Sequence, residues 1–358
     1  MARVYNFSPG PAALPLSVLE KAQKELIEYG TTGMSVMEMS HRGGAYEEIQ
    51  KKAMDALRRL MNIPANYQVL FVQGGATTQF SAVPMNLMQT GKADYVDSGN
   101  FASNAIKEAQ RYGQVNVVAS SKAINYVRVP ELDKAKFDLA ADYFHITTNN
   151  TIFGTHYDKL PDTGKVPLVA DMSSNILGEV YDITKFGLVY AGAQKNMGIA
   201  GLTVVIVRDD LIGHARPETP QMLNYQTMST SASLHNTPPC FSVYMASLVF
   251  DWLEALGGVP AIQKINQKKA KLLYDFLDNS KIFKPTAEKA FRSIMNVTYV
   301  LPTEELTNEF VKAAGAKGLV NIKGHRLVGG IRASIYNAMT LEGVQALVDC
   351  MKAFETAH

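Results

Sequence analysis

The chain has little with which to cross-link itself. Its two cysteines, Cys240 and Cys350, stand far apart and in no metal-like spacing. That argues against a disulfide framework and a zinc site, and points to a reducing compartment. Long apolar runs are missing: stretches such as "LTVVIV" at 202–207 are far too short to cross a bilayer. The opening "MARVYNFSPGPAALP" holds no apolar segment of signal-peptide length. The expectation is a cytoplasmic protein with no membrane partner and no bound metal. Charge of one sign is also missing. Lys and Arg number 35 against 33 Asp and Glu, a net charge of +2, which excludes bulk attraction to nucleic acid. Neither G-x-x-x-x-G-K-[ST] nor G-x-G-x-x-G occurs, so the common nucleotide fingerprints are absent. No internal repeat or low-complexity tract is found.

What is present suits a globular chain of about two domains: 358 residues, 47% hydrophobic and 19% charged. From Pro15, Leu19, Ala22, Leu26 and Tyr29 form one apolar helical face, with Gly30 as a stop. A second helical pattern runs from about Tyr46 to Met61. Short β-rich runs then alternate with helical segments: "YQVLFVQGG", "ADYVDSG", "VNVVAS", "DYFHITTNN", "PLVADMSS", "LVYAGAQK" and "LTVVIVR". Several are apolar on both faces, as strands of a buried, mostly parallel sheet are. Only "NMGIAG" separates the last two, so that pair is compatible with an antiparallel arrangement. Residues 216–240 show no clear periodicity. The remainder reads as a smaller α+β unit ending in a helix, with Thr340 as its N-cap.

Three local features carry chemistry. Asp171 closes an apolar strand in "VADMSSN", at the end where open α/β sheets hold ligands; an Asp there serves equally well as a turn cap. Lys195 closes another apolar strand in "GAQKNMGIAG", and the two charges suit an ion pair as well as a cofactor between them. "FVQGGATTQF" runs from a strand through glycines into a helix, which makes an anion cradle or a plain tight turn. Taken together, the three match the needs of pyridoxal 5'-phosphate: a lysine for the aldehyde, a carboxylate for the pyridine nitrogen and a cradle for the phosphate. Phe101 in "SGNFASNAI" follows a strand and is suited to stack on the ring. The glycines around Lys195 are then expected to leave room for a planar group.

The segments "NFSPGPAALP", "GMSVMEMSHR", "FVQGGATTQF", "VPMNL", "DMSSN", "YAGAQKNMG", "HNTPP" and "GGIRASIYNAM" together resemble, nearly end to end, the phosphoserine aminotransferase family of fold-type I pyridoxal-phosphate enzymes. The resemblance implies an α/β fold: a large domain (16–258) with a mostly parallel seven-stranded sheet between helices, and a small α+β domain (1–15 and 259–358). It implies that Lys195 bonds the cofactor aldehyde and that Asp171 pairs with the pyridine nitrogen. Ala76, Thr77 and Gln194 would hold the phosphate, Thr151 the ring hydroxyl, and Phe101 the ring face. Asn236 and Thr237 would reach the cofactor of a partner subunit, making a homodimer with shared sites and explaining the irregular 216–240. The stacking position is commonly Trp in that family, whereas the only Trp here is Trp252; some relatives carry Arg at the position of Thr77.

A substrate bearing a carboxylate and a phosphate needs two cationic sites. His41 and Arg42 in "SHRGG", His325 and Arg326 in "KGHRL", and Arg332 in "GGIRAS" are the candidates; each Arg also suits a surface ion pair. By resemblance, Arg332 and Arg42 bind the substrate carboxylate or phosphate, and His41, His325 and Arg326 line the phosphate side, some from the partner. The reaction implied is reversible amino transfer between O-phospho-L-serine plus 2-oxoglutarate and 3-phosphohydroxypyruvate plus L-glutamate, in serine biosynthesis. The rival expectations are a related enzyme of the alanine- or serine-glyoxylate type and a non-catalytic cofactor-binding protein.

Overall fold

Seven of the apolar runs become the strands of one sheet in the computed structural model, which describes residues 3–358. They are β1 (Tyr67–Val72), β2 (Lys92–Asp97), β3 (Gln114–Ser120), β4 (Phe144–Thr147), β5 (Leu168–Asp171), β6 (Leu188–Gly192) and β7 (Thr203–Arg208). The order across the sheet is β1-β7-β6-β5-β4-β2-β3. Strand β7 runs antiparallel to both β1 and β6, as the short "NMGIAG" connection requires. The pairs β6–β5, β5–β4, β4–β2 and β2–β3 are parallel. In β5 and β6 every residue is buried, because helices cover both faces of the sheet.

The helices are α1 (Leu16–Lys24), α2 (Gly44–Met61), α3 (Gly75–Leu87), α4 (Asn100–Ala109), α5 (Tyr225–Thr230), α6 (Cys240–Ala255), α7 (Gly258–Asn279), α8 (Glu304–Ala316) and α9 (Leu341–Ala357). One face of the sheet packs under α2 and α6, with Tyr46, Leu57, Phe250 and Leu253 in its core. The other packs under α3, α4 and α5, around Phe80, Tyr95, Tyr190 and Tyr225. A separate core gathers Phe283, Tyr299, Phe310, Leu347 and Phe354 around a three-stranded antiparallel sheet of β8 (Lys284–Pro285), β9 (Asn296–Val300) and β10 (Ile331–Ser334). Phe7 belongs to this small-lobe core, and Tyr5–Asn6 pairs in parallel with Leu319–Val320. Helix α7 serves both lobes: Val259 and Ile262 lie in the large core, Leu273 and Leu277 in the small one. No single helix among the described residues is long and apolar enough to cross a membrane; α6 and α7 pass such a test only as a pair bent by 81°.

Three local expectations need correction. Helix α1 stops at Lys24 instead of continuing to Gly30. The chain beyond it folds into a turn, with Tyr29 N–H donating to Met34 O (3.0 Å) and Thr32 Oγ1 to Tyr29 O (2.8 Å). Leu26 is left 40% exposed, so periodicity overran a segment whose backbone finds better partners in a turn. The run at 142–150 breaks after Thr147, and Asn149–Asn150 pairs instead with Thr155–His156. Within 216–240, residues 224–230 are ordered on their own chain: Asn224 caps α5, and Tyr225 is buried with its hydroxyl on Gln79 Oε1 (2.7 Å).

The small lobe is fastened to α7 by Lys269. This side chain is fully buried, and its Nζ donates to Ile335 O (3.0 Å), Tyr336 O (2.8 Å) and Met339 O (2.9 Å). Lys269→Met keeps the stem but removes the donor to three carbonyls, of which Tyr336 O alone retains another, Met339 N–H (3.0 Å). It is expected to lower the stability of the cofactor-free protein by roughly 2–5 kcal/mol in urea unfolding; a loss of less than about 1 kcal/mol would mean the turn finds other partners.

Candidate active site

The carboxyl ends of the parallel strands converge on a cavity of about 310 Å³. Asp171 is the last residue of β5, and Lys195 lies three residues beyond β6, the neighbouring strand. Thr147 ends β4, and Phe101 lies in the first turn of α4, just after β2. Gly74 and Gly75 turn the chain from β1 into α3. Seven residues singled out in the sequence line this one cavity: Ala76, Thr77, Phe101, Thr151, Asp171, Gln194 and Lys195.

Each is held by local chemistry. Lys195 Nζ donates to Thr151 Oγ1 (2.8 Å) and stands 5.4 Å from the centre of the Phe101 ring. Burial pushes its amine down to about 8; Asp171 opposes that shift and Arg332 reinforces it. Asp171 is 5% exposed, and its Oδ1 accepts from Ser173 N–H (2.9 Å). Burial raises its carboxyl above its ordinary value, while Ser173 and Lys195 pull the other way. Helix α3 starts with Gly74 at φ +95° as its N-cap and no side-chain cap bond. The first N–H groups of the helix therefore remain free for an anion. A Cβ on Gly74 would lie 2.1 Å from Thr78 Oγ1, so this turn requires glycine.

The glycines after Lys195 do something other than expected. A Cβ on Gly201 would come within 2.9 Å of Ser242 Oγ, and one on Gly198 within 3.4 Å of the Ala246 backbone. They admit α6 against this loop, and the room beside Lys195 is left elsewhere. Gly10 does the close packing on the lysine itself: a Cβ there would stand 3.3 Å from Lys195 Cγ. The contact of this N-terminal segment with Lys195, and Ala12 N–H on Gln194 O (2.9 Å), had no local signal in the sequence. Ser173, Ser174, Asn149 and Thr147 also line the cavity without having been singled out. Thr147 is the informative one, because its buried hydroxyl has no partner among the described residues.

The basic residues divide. Arg332, on β10, is 7% exposed; its one side-chain hydrogen bond among the described residues is Nη1 to Thr151 O (3.3 Å), and its Nε has no partner there. With His325, Lys122, Tyr126 and Phe153 it lines an adjoining cavity of about 570 Å³. Burial, with Arg332 and Arg326 nearby, lowers the His325 imidazole below its ordinary value. Arg326 and Arg42 are exposed and line neither cavity; nor does half-buried His41, whose Nε2 is unpartnered among the described residues. Asn236 and Thr237 also stand outside, although Thr237 O accepts from Gln73 Nε2 (3.1 Å) next to the cradle.

A family model described as Aminotransferase class-V matches residues 4–347. The chain belongs to the class-V aminotransferases. It is 56% identical over 356 residues, 99% of each chain, to a phosphoserine aminotransferase of Bacillus cereus. The structure of a phosphoserine aminotransferase from Bacillus circulans subsp. alkalophilus superposes with a TM-score of 0.96 at 49% identity, covering 99% of both chains. A phosphoserine aminotransferase from Trichomonas vaginalis, described as PLP bound, superposes at 0.93 with 39% identity over 98% of this chain and 100% of that one. The fold expected from the sequence, fold-type I with a mostly parallel seven-stranded sheet and a small C-terminal sheet, is the observed one.

This class-V site fits pyridoxal phosphate on its own chemistry. An uncapped helix N-terminus, an amine shifted toward neutrality, a buried carboxylate, an aromatic face and an unpartnered Thr147 hydroxyl surround one cavity. The amine predicts a pH dependence. The neutral form is the nucleophile, so condensation of the cofactor-free protein with pyridoxal phosphate should quicken as pH rises through about 8 and then level off. A profile rising toward the ordinary lysine value, near 10.5, would contradict the shift. Asp171→Asn removes a buried charge. The cofactor-free variant should melt no lower than the parent, while pyridoxal phosphate binds about 10- to 100-fold more weakly by equilibrium dialysis.

Proposed function

We propose that this protein catalyses the reversible transfer of the amino group of O-phospho-L-serine to 2-oxoglutarate, giving 3-phosphohydroxypyruvate and L-glutamate, the transamination of serine biosynthesis. The full-length likeness to phosphoserine aminotransferases supports the substrate pair. The observation that carries the chemistry is a lysine amine, shifted to about 8, and a buried carboxylate facing one cavity. Bound there, pyridoxal phosphate supplies an aldehyde for the amino group and a ring that accepts electrons.

The chain's own residues do the rest. Lys195 Nζ, neutral in a useful fraction near neutrality, takes the proton from the substrate α-carbon as a general base and returns it as a general acid. Asp171 would pair with the pyridine nitrogen and favour its protonated form. The Gly74–Thr77 turn would hold the phosphate through Ala76 and Thr77, with Gln194 beside them; Thr151 would reach the ring hydroxyl, and Phe101 would cover the ring. Arg332, buried with an unpartnered Nε, offers its fork to the substrate carboxylate. His325, beside it in the adjoining cavity, faces the substrate phosphate.

Arg42, His41, Arg326, Asn236 and Thr237 belong to the same proposal as groups that complete the site across a homodimer. Their exposure or half-exposure outside both cavities of one chain supports that reading. The division into a large lobe (16–258) and a small lobe (1–15 and 259–358) and a cytoplasmic location complete the proposal; two free thiols agree with a reducing compartment.

Lys195→Ala is expected to keep its fold by circular dichroism, lose the visible absorbance of the bound cofactor, and lose at least about 1,000-fold in kcat. A variant that stays yellow and active would defeat the assignment. For specificity, phosphoserine, serine, phosphohydroxythreonine and alanine should each be assayed with 2-oxoglutarate. The phosphate site predicts a preference for phosphoserine over serine of more than about 100-fold in kcat/KM; equal activity on the two would refute it.

A further inference from the structure

Arg332 and Lys195 sit on different lobes, and a two-pronged substrate needs them at a fixed separation. A buried knot of amides joins the segments that follow each. Asn196, the residue after Lys195, is 6% exposed; its Oδ1 accepts from the backbone N–H of Asn337 (3.0 Å), and its Nδ2 donates to Ile176 O (2.9 Å). Asn337, five residues beyond Arg332 and 5% exposed, donates through Nδ2 to Leu177 O (2.9 Å) and accepts at Oδ1 from Asn266 Nδ2 (2.8 Å). Asn266, fully buried on α7, also donates to Gly178 O (3.0 Å). The turn at 176–178 is the continuation of the strand that ends in Asp171.

The turn has local bonds of its own, Ile176 N–H to Met172 O (2.8 Å) and Gly178 N–H to Asn175 O (2.9 Å), but they leave the Leu177 carbonyl to Asn337. Leu177 is buried with φ at +59°, a left-handed conformation that a leucine adopts only where its surroundings compel it. The bond from Asn337 to its carbonyl is part of that compulsion. The side chain of Asn337 thus ties three segments together: the one after Asp171, α7, and the one after Arg332. Its side-chain oxygen and nitrogen are both engaged within the protein, so its role is one of placement.

We propose that Asn337 is a positioning residue: it sets the guanidinium of Arg332 at its working distance from Lys195 and Asp171 by locking the 335–339 turn to the backbone around Leu177. The proposal rests on the reading that Arg332 binds the substrate carboxylate. It makes a specific claim about kinetics. Both the amino donor and 2-oxoglutarate present a carboxylate to Arg332, so displacing that residue weakens both. The backbone bond from Asn337 to Asn196 survives side-chain replacement, so Lys195 keeps its place and the grip on pyridoxal phosphate is spared.

The test compares Asn337→Ala, Arg332→Ala and the double variant. For Asn337→Ala, KM for phosphoserine and for 2-oxoglutarate should each rise about tenfold or more. Pyridoxal phosphate should bind the cofactor-free protein within about twofold of the parent, measured by fluorescence titration. The double variant should have the same two KM values as Arg332→Ala alone, because a residue acting through Arg332 has nothing left to act on. Unchanged KM values with only a lowered melting temperature would overturn the proposal, as would effects that multiply in the double variant. If Arg332→Ala itself leaves both KM values unchanged, the carboxylate reading fails and this inference fails with it; that outcome is distinct from the other two. Where Asn337→Ala does not fold, Asn337→Ser is judged by the same criteria.

Discussion

The site depends on burying an amine and a carboxylate in one cavity without letting them satisfy each other. Thr151 takes the hydrogen bond from Lys195, and Ser173 N–H donates to an oxygen of Asp171. Each charged group is thereby held on its own strand end. Burial then works on both: it lowers the lysine toward neutrality and raises the carboxyl, while their mutual attraction limits each shift. Had they closed into a contact pair, attraction would have fixed both as ions and left a dead salt bridge. On the proposed function, separation across a cavity leaves the amine available as a base and the carboxylate available to a cationic ring nitrogen.

That separation follows from the sheet. Strands β5 and β6 are adjacent and parallel, with Asp171 opposite Tyr190, so their carboxyl ends open on the same side. Parallel neighbours cannot be joined by a hairpin, so the ends of β2, β4 and β5 lead into long connections, while β1, paired only with antiparallel β7, crosses to β2 through α3. Those connections supply the cavity walls: α3 with its free N–H groups, α4 with Phe101, and the Thr148–Thr155 excursion with Thr151. The small lobe adds Arg332, and the amide knot around Asn337 carries its placement back to the same strand ends. In the proposed mechanism, the placement of Lys195, Asp171 and Arg332 therefore follows from strand order and from one interlobe junction.

The residues that could be read from the sequence are the ones whose local context is unusual. Asp171 and Lys195 stand out because each ends an apolar run where a charge has no place in a strand. The sheet itself is legible from its apolar runs, down to the antiparallel β7 after a short link. Arg332 is equally central, yet composition and periodicity alone cannot separate it from an exposed arginine; only the fold brings β10 to Thr151 across 181 residues of chain. Thr147, Ser173 and Gly10 were missed because hydroxyls and glycines in turns are common, and their meaning lies in which atoms face them. The overrun of α1 past Lys24 has the opposite cause: an apolar periodicity was present, and local turn bonds at Tyr29 and Thr32 outweighed it.

Phe101 shows how the fold makes a plain residue sufficient. Its turn is fixed by the backbone before the side chain is considered. A Cβ on Gly99 would lie 2.6 Å from Asn150 Oδ1, so the chain runs closer to the Asn149–Asn150 strand than any side chain would permit. Below it, Asp97 accepts from Ser103 Oγ (2.6 Å), Ser120 Oγ (2.7 Å) and Tyr126 OH (3.2 Å), binding the first turn of α4 to β3 and to the loop beyond. Held in this way, the aromatic ring needs no polar anchor of its own. An indole would add area and an N–H that must find a partner; a phenyl ring adds no such demand in a wall already crowded with amides. In the role proposed for Phe101, a phenyl ring in place of an indole gives up contact area, while its orientation is still set by the turn at Gly99 and Asp97.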